Sequence, residues 1–206
     1  EDLKGSVSYQ RVEELSARLL QTEKERDALQ TELKKLKEST EAGTADSEAV
    51  QETRMKSGFM ALEGPGVIVT LDDSKSKAKS GENPNLYLIH DDDLLRVINE
   101  LRAAGAEAVS VNGQRLIGTS EIRCAGPTLS VNNVRSAPPY EIKAIGDKES
   151  LEKSIKMRGG VEETLKVWGI QLEVKTSDSI RVPAYEGSMQ LRYAKPAAQQ
   201  AEEDKP

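Results

Sequence analysis

Two stretches of this 206-residue chain end a helical pattern in the same way and then enter a strand. Ala104-Gly105-Ala106 leads into Val109 and Val111, and Trp168-Gly169-Ile170 leads into Leu172 and Val174. Each stop follows an apolar face at helical spacing: Leu94, Ile98 and Leu101 in the first, and Leu151, Ile155, Val161, Leu165 and Trp168 in the second. Each helix in turn follows a strand. Residues 67–71 (Val-Ile-Val-Thr-Leu) read as a buried one, and Tyr140, Ile142 and Ala144 alternate with Glu141 and Lys143 in a half-buried one. A chain that repeats strand, helix, strand has few ways to cover both apolar helix faces. Two such units interleave into a ferredoxin-like α+β sandwich, a duplicated β-α-β with both helices on one side of the sheet.

Local punctuation agrees with that reading. Asp91, Asp92 and Asp93 are cap residues for the first helix, and Gly105 stands where a left-handed C-terminal residue is wanted. Gly146-Asp147 caps the second helix, and Gly159-Gly160 interrupts it. Asn112-Gly113 is a tight-turn signal. Between the repeats, Ile122-Arg123-Cys124-Ala125 and Thr128-Leu129-Ser130-Val131 flank Gly126-Pro127 and form an inserted β-hairpin, with alternation placing Cys124 on the buried side. Residues 73–85 have almost no apolar content and read as a mobile loop. The sheet face away from the helices carries Arg123, Glu141, Lys143, Glu173 and Lys175, mixed in sign, and serves either as a solvated surface or as a docking surface.

Upstream, residues 9–38 contain no Gly or Pro and are dense in good helix formers. In a heptad frame Val12, Leu19, Arg26 and Leu33 fall at a, and Leu15, Thr22, Leu29 and Leu36 at d, so six of the eight seam positions are apolar. Arg18 meets Glu23, and Glu32 meets Lys37, across a parallel pair. The segment is therefore read as a long coiled-coil helix, a stalk of about 40 Å that pairs two copies. Its interface is Val12, Leu15, Leu19, Leu29, Leu33 and Leu36. Thr22 and Arg26 in the seam leave open a single helix that is solvated or folded back on its own chain. Residues 47–62 read as a second helix capped by Ser47 and stopped at Gly64-Pro65-Gly66, with Met55, Phe59 and Leu62 packing on the globular part. The domain plan is thus 1–46 stalk and joint, 47–193 α+β domain, and 194–206 disordered tail.

Composition narrows the function. The 29 basic and 35 acidic residues leave a net charge of -6, with no basic block to neutralise phosphates, so nucleic acid is not an expected partner. Aromatic residues are 3% of the chain, too few for base-stacking platforms. A single Cys and a single His exclude a disulfide framework and a Cys/His-rich zinc site. No stretch approaches the roughly 20 apolar residues of a membrane span.

Several blocks resemble the signature of the YlxW/YlxX-like bacterial family. They are His90-Asp91-Asp92-Asp93-Leu94-Leu95, residues 99–108, Val111-Asn112-Gly113-Gln114-Arg115, Ile122-Arg123-Cys124-Ala125-Gly126-Pro127, Pro138-Pro139-Tyr140, and Ala144-Ile145-Gly146-Asp147. The likeness runs from the coiled coil to about Gly187. It implies an extracytoplasmic protein attached to the cell membrane by an anchor upstream of Glu1, with genes often beside cell-division genes and a biochemical activity that is unknown.

The candidate ligand or partner residues are Asn112, Gln114 and Arg115 at a strand end, Arg123, Asn132 and Asn133 from the neighbouring hairpin, and Tyr140 from the signature. Arg suits carboxylate or phosphate through its planar fork, whereas Asn-Gly-Gln-Arg also fits a turn whose side chains bond local backbone. His90 with the three aspartates fits helix capping better than a metal, since consecutive residues cannot all point at one ion. Cys124 has only His90 available as a base. No metal, cofactor or enzymatic motif is read. The expected function is a non-enzymatic scaffold or interaction protein of the cell envelope, linked to cell division or wall synthesis, with itself and envelope or division proteins as partners. The alternative is a small-ligand-sensing domain with a polar pocket at the sheet edge.

Overall fold

The structure, a computed structural model, describes residues 48–76, 81–126, 128–189 and 191–195, together with Gln21, Thr22, Lys24, Arg26 and Thr31, all five of them helical. The chain divides into two compact units, Glu1–Gln51 and Glu52–Pro206. The seam residues Val12, Leu15, Leu19, Leu29, Leu33 and Leu36 lie outside the described residues, as does the tail from residue 196 onward.

The fold is mixed α+β. Among the described residues the order is α1 (Glu48–Ser57), β1 (Leu62–Asp72), a 3-10 turn (Pro84–Tyr87), α2 (Asp91–Ala103), β2 (Ala108–Val111), β3 (Gln114–Arg115), β4 (Ile122–Ala125), β5 (Thr128–Val131), β6 (Val134–Ser136), β7 (Tyr140–Ile145), α3 (Lys148–Ile155), α4 (Val161–Val167) and β8 (Gln171–Val182). One sheet runs β3-β2-β7-β1-β8 and the other β4-β5-β6, and every neighbouring pair is antiparallel.

The core lies between the larger sheet and its helices. Val67, Val69 and Leu71 of β1 and Tyr140, Ile142 and Ala144 of β7 pack with Leu94, Val97, Ile98 and Leu101 of α2, with Leu151 and Ile155 of α3, and with Val161 and Leu165 of α4. Fully burying each of the larger apolar side chains contributes about 1.5–3 kcal/mol relative to exposure. Helix ends follow the local code. Asp147 accepts from the Ser150 N–H at 2.9 Å, and Gly105 and Gly169 close their helices at φ 93 and 73. Helix α2 differs in one respect, because its N-cap is His90 and the Asp93 carboxylate accepts from the His90 N–H at 2.9 Å.

Several readings of the sequence are corrected. The helix read to residue 62 ends at Ser57, because Gly58 turns the chain at φ 87 and Phe59 N–H donates back to the Arg54 carbonyl at 3.0 Å. Leu62 then lies on β1 and Met55 is exposed, while Phe59, partly exposed, packs its ring edge-on against Tyr185 at 6.1 Å. Gly64-Pro65-Gly66, read as a breaker, lies inside β1. Its Pro is accommodated where the register with β8 shifts, and Gly66 is required because a Cβ there would stand 1.9 Å from the Ala144 carbonyl oxygen.

The inserted hairpin has a third strand, β6, reached through Asn132 and Asn133 at φ 52 and 62, both in the left-handed region that Asn tolerates. That small sheet reaches the core through Leu129 and Val131, and its β4 edge leaves Cys124 exposed instead of buried.

The outward sheet face is open over only part of its length. Glu141 with Lys143 and Glu173 with Lys175 form ion pairs there at 2.9 and 3.2 Å. Arg123 belongs to the other sheet. Beyond the register shift, Ile180 and Val182 form a second apolar cluster with Ala108 and Ile145, flanked by Leu62 and Ile68. Of the loop read over residues 73–85, residues 77–80 lie outside the described residues. At its ends the Asp73 carboxylate accepts from the Ile89 N–H at 2.9 Å and Ser74 N–H donates to the Tyr87 carbonyl at 2.9 Å.

Candidate functional site

The seven candidate residues do not converge on one opening. Asn112 and Gly113, at φ 45 and 78, make the primed turn that folds β3 back on β2. The Asn112 Oδ1 accepts from the Glu141 N–H at 2.7 Å, so the side chain ties that turn to β7. Gln114 is half-buried on the short β3.

Arg115, 4% exposed, donates from Nη1 to the Met60 and Pro183 carbonyls, both at 3.1 Å. Its own carbonyl accepts from Asn132 Nδ2 at 2.8 Å. Arg115 Nε and Asn132 Oδ1 are buried without a hydrogen-bond partner. Burial lowers the Arg115 pKa from its ordinary value, yet arginine remains charged across the physiological range. Arg123 Nη2 donates to Asn133 Oδ1 at 3.3 Å, and the Asn133 N–H donates to the Glu121 carboxylate. Tyr140, 1% exposed, accepts from Leu129 N–H and donates to the Ser136 carbonyl, both at 3.2 Å. Burial pushes its phenol up. Arg115 thus meets Asn132, and Arg123 meets Asn133, but each pair serves backbone or turn geometry.

The accessible concavity lies elsewhere. A cleft of about 290 Å³ opens between the small sheet and the start of α2, lined by Asp73, Ile89, His90, Cys124, Thr128 and Tyr140 among others. Of the candidate residues only Tyr140 reaches it. At its rim Asp91 and Cys124 grip one another: Asp91 Oδ2 accepts from Cys124 N–H at 3.0 Å, Cys124 Sγ donates to Asp91 Oδ1 at 3.3 Å, and Asp91 N–H reaches Sγ at 3.5 Å. The Cys124 N–H bond holds the Asp91 carboxyl below its usual range, helped by the thiol. Partial burial, with the charges of Asp91 and Asp93, pushes the thiol up. A thiol kept protonated is a poor nucleophile. A second cleft of about 370 Å³ shares Asn85, Leu88 and His90 and adds Asp93, Arg96 and Trp168. Among the described residues no group of three or more His, Cys, Asp or Glu could hold a metal ion, and no helix is long and apolar enough to cross a membrane.

The Asp91–Cys124 grip and the carbonyls under Arg115 were invisible to sequence reasoning. The first spans 33 residues and the second 55 and 68, and nothing local marks such partners.

Residues 49–195 match a family model described as a bacterial protein of unknown function, DUF881. Over 135 residues the chain is 37% identical to UPF0749 protein YlxW of Bacillus subtilis (strain 168), an overlap covering 66% of this chain and 58% of that protein. It is 33% identical over 144 residues to UPF0749 protein Rv1825 of Mycobacterium tuberculosis, covering 68% of this chain and 45% of that protein. UPF0749 protein YlxX of Bacillus subtilis is 26% identical over 175 residues, with 82% and 72% covered. The chain therefore spans about half the length of the first two relatives. A crystal structure of an uncharacterized conserved protein from Mycobacterium tuberculosis is similar at a TM-score of 0.58 and 29% identity, covering 72% of this chain and 99% of that one.

Proposed function

Because the chain belongs to the DUF881 family of bacterial proteins, the family of YlxW and YlxX, we propose that it is a non-enzymatic interaction module of the cell envelope. In this reading the heptad segment pairs two copies, and an anchor upstream of Glu1 holds the protein on the outer side of the cell membrane. The α+β unit is presented there to proteins of division or wall synthesis. The strand order β2-β7-β1-β8, with helices between β1 and β2 and between β7 and β8, supports the ferredoxin-like duplication.

The observation that carries the proposal is the use made of the polar signature. Arg115, Asn112, Asn132 and Tyr140 spend their hydrogen bonds on backbone carbonyls and N–H groups, in keeping with residues that hold a rigid surface for others to grip. Analytical ultracentrifugation of the full chain and of a variant lacking residues 1–38 tests it, paired with cross-linking in cells and identification of the attached proteins. Concentration-dependent association lost with the deletion, and capture of envelope proteins, is the expected result. A full chain that is monomeric at every concentration overturns the self-association, and capture of cytoplasmic proteins alone overturns the location.

A second reading, a ligand-sensing domain, is favoured by the cleft beside His90 and Cys124. Thermal shifts across a panel of metabolites and wall precursors test it. A response that His90→Ala removes supports sensing, and a flat panel counts against it.

A further inference from the structure

β8 is the last strand of the larger sheet, and among the described residues no strand pairs with its outer side. It is 12 residues long, and an edge of that length carries a row of unpaired N–H and C=O groups able to template another strand. The run pairs regularly with β1 from Gln171 opposite Asp72 to Ser177 opposite Gly66, where the register shifts. The flat part of the edge is therefore 171–177, and its midpoint is Val174.

The charges mark the same point. Glu173 and Lys175 are 62% and 67% exposed on the outward face and flank Val174. If two copies of β8 meet antiparallel and continue one sheet, residue i faces a residue of the same parity on its partner, because side chains alternate between faces. Centring on Glu173 sets two glutamates against each other, and centring on Lys175 sets two lysines against each other. Centring on Val174 sets each Glu173 opposite the other copy's Lys175, twice, with Gln171 opposite Ser177 at the ends.

We propose that β8 is a self-complementary edge through which two copies join antiparallel about Val174, continuing one sheet through both. The occupant is a second copy of this chain, chosen by a charge pattern that satisfies itself only at the register where the flat run is also centred. Seven paired residues make a small contact beside the roughly 1,200–2,000 Å² that stable complexes bury, so this edge closes at high local concentration. It is independent of how residues 9–38 behave.

The test is trapping in the full chain with the native thiol removed. Residues paired across an antiparallel ladder have Cα atoms about 4.5–5.5 Å apart, within disulfide reach. In a Cys124→Ser background, Val174→Cys is expected to form a disulfide-linked dimer under mild oxidation at millimolar protein, much faster than Arg102→Cys on the exposed side of α2. With Val174→Cys, adding Lys175→Glu or Glu173→Lys alone should slow trapping about tenfold, as two cross-strand pairs turn from attractive to repulsive. The double exchange Glu173→Lys with Lys175→Glu should restore it. Trapping no faster than the Arg102→Cys control overturns the proposal. So does trapping indifferent to the single charge changes, which would mean that the Glu173 and Lys175 pattern does not choose the partner or the register. Sedimentation of the residue 1–38 deletion reads the stalk separately, so the failure of one association is distinguishable from failure of the other.

Discussion

Arg115 and Pro183 are separated by 68 residues in the chain, yet the Arg115 Nη1 donates to the Pro183 carbonyl at 3.1 Å. The same nitrogen reaches the Met60 carbonyl at 3.1 Å, so one buried cation holds the approach to β1 and the exit from β8 together. Arg115→Met keeps most of the apolar stem but leaves both carbonyls without their charged donor. It is expected to lower unfolding stability by about 3 kcal/mol in urea denaturation. Arg115→Lys should recover only part of this, since a strongly hydrated ammonium on a flexible stem costs more to bury and is less firmly aimed at both carbonyls.

Gly66 is fixed by approach rather than by turning. With Ala144 oxygen 1.9 Å from any Cβ, Gly66→Ala is expected to cost about 4 kcal/mol or abolish folding, because the obstacle is backbone and cannot step aside. Gly81 is the control: it has φ 90 with nothing within 4 Å, so Gly81→Ala should cost about 1–2 kcal/mol. Thermal unfolding of the two variants side by side checks the contrast.

Asn112→Ala removes the acceptor for the Glu141 N–H and puts a residue without a local partner at φ 45. A loss of about 1–2 kcal/mol is expected. Hydrogen exchange should show the Glu141 amide losing protection before the rest of β7.

The Asp91 carboxyl is held down chiefly by the Cys124 N–H, and Asp147 and Asp178 are held down by Ser150 and by Lys148 respectively. A carboxyl whose folded pKa is depressed contributes stability above its unfolded value, about 3.9 for Asp, and that contribution disappears as pH falls through the folded value. Urea midpoints are therefore expected to be flat above about pH 5 and to drop on acidification below about pH 4. Asp91→Asn should be less stable at neutral pH and show a shallower acid limb. An unchanged acid limb would remove Asp91 from that account.

Cys124 should alkylate slowly at neutral pH although it is exposed, because partial burial and the neighbouring carboxylates disfavour the thiolate. Asp91→Asn removes the nearer charge and is expected to speed reaction with iodoacetamide. A rate that does not change would mean that burial alone sets the thiol.

What was legible in the chain was whatever physics acts within a few residues. Asp147, Gly105, Gly169 and the Asn112-Gly113 turn act through their own backbone, and the apolar spacing of Leu94, Ile98 and Leu101 needs only a helix to be read. Gly64-Pro65-Gly66 misled because its glycines answer to Ala144 and to the register of β8, both far along the sequence. Cys124 misled because β4 belongs to a second sheet with an exposed edge, while the alternation was read as if it faced the main core. Arg115 was singled out for a fork that could hold a ligand. The guanidinium is used instead through a single nitrogen, Nη1, whose two targets are carbonyls that only the finished fold brings to it.

The pairing of Leu62 with Val182 means that the chain enters and leaves this sheet at the same end. A tug on either terminus would work on β1 and β8 as on the open end of a zipper, parting one rung after another instead of shearing all of them at once. Arg115 sits across that opening as a staple. The first rung parts only after this buried cation gives up both of its carbonyls and after the Tyr185 N–H, just outside it, releases the Gly58 carbonyl that it holds at 2.8 Å.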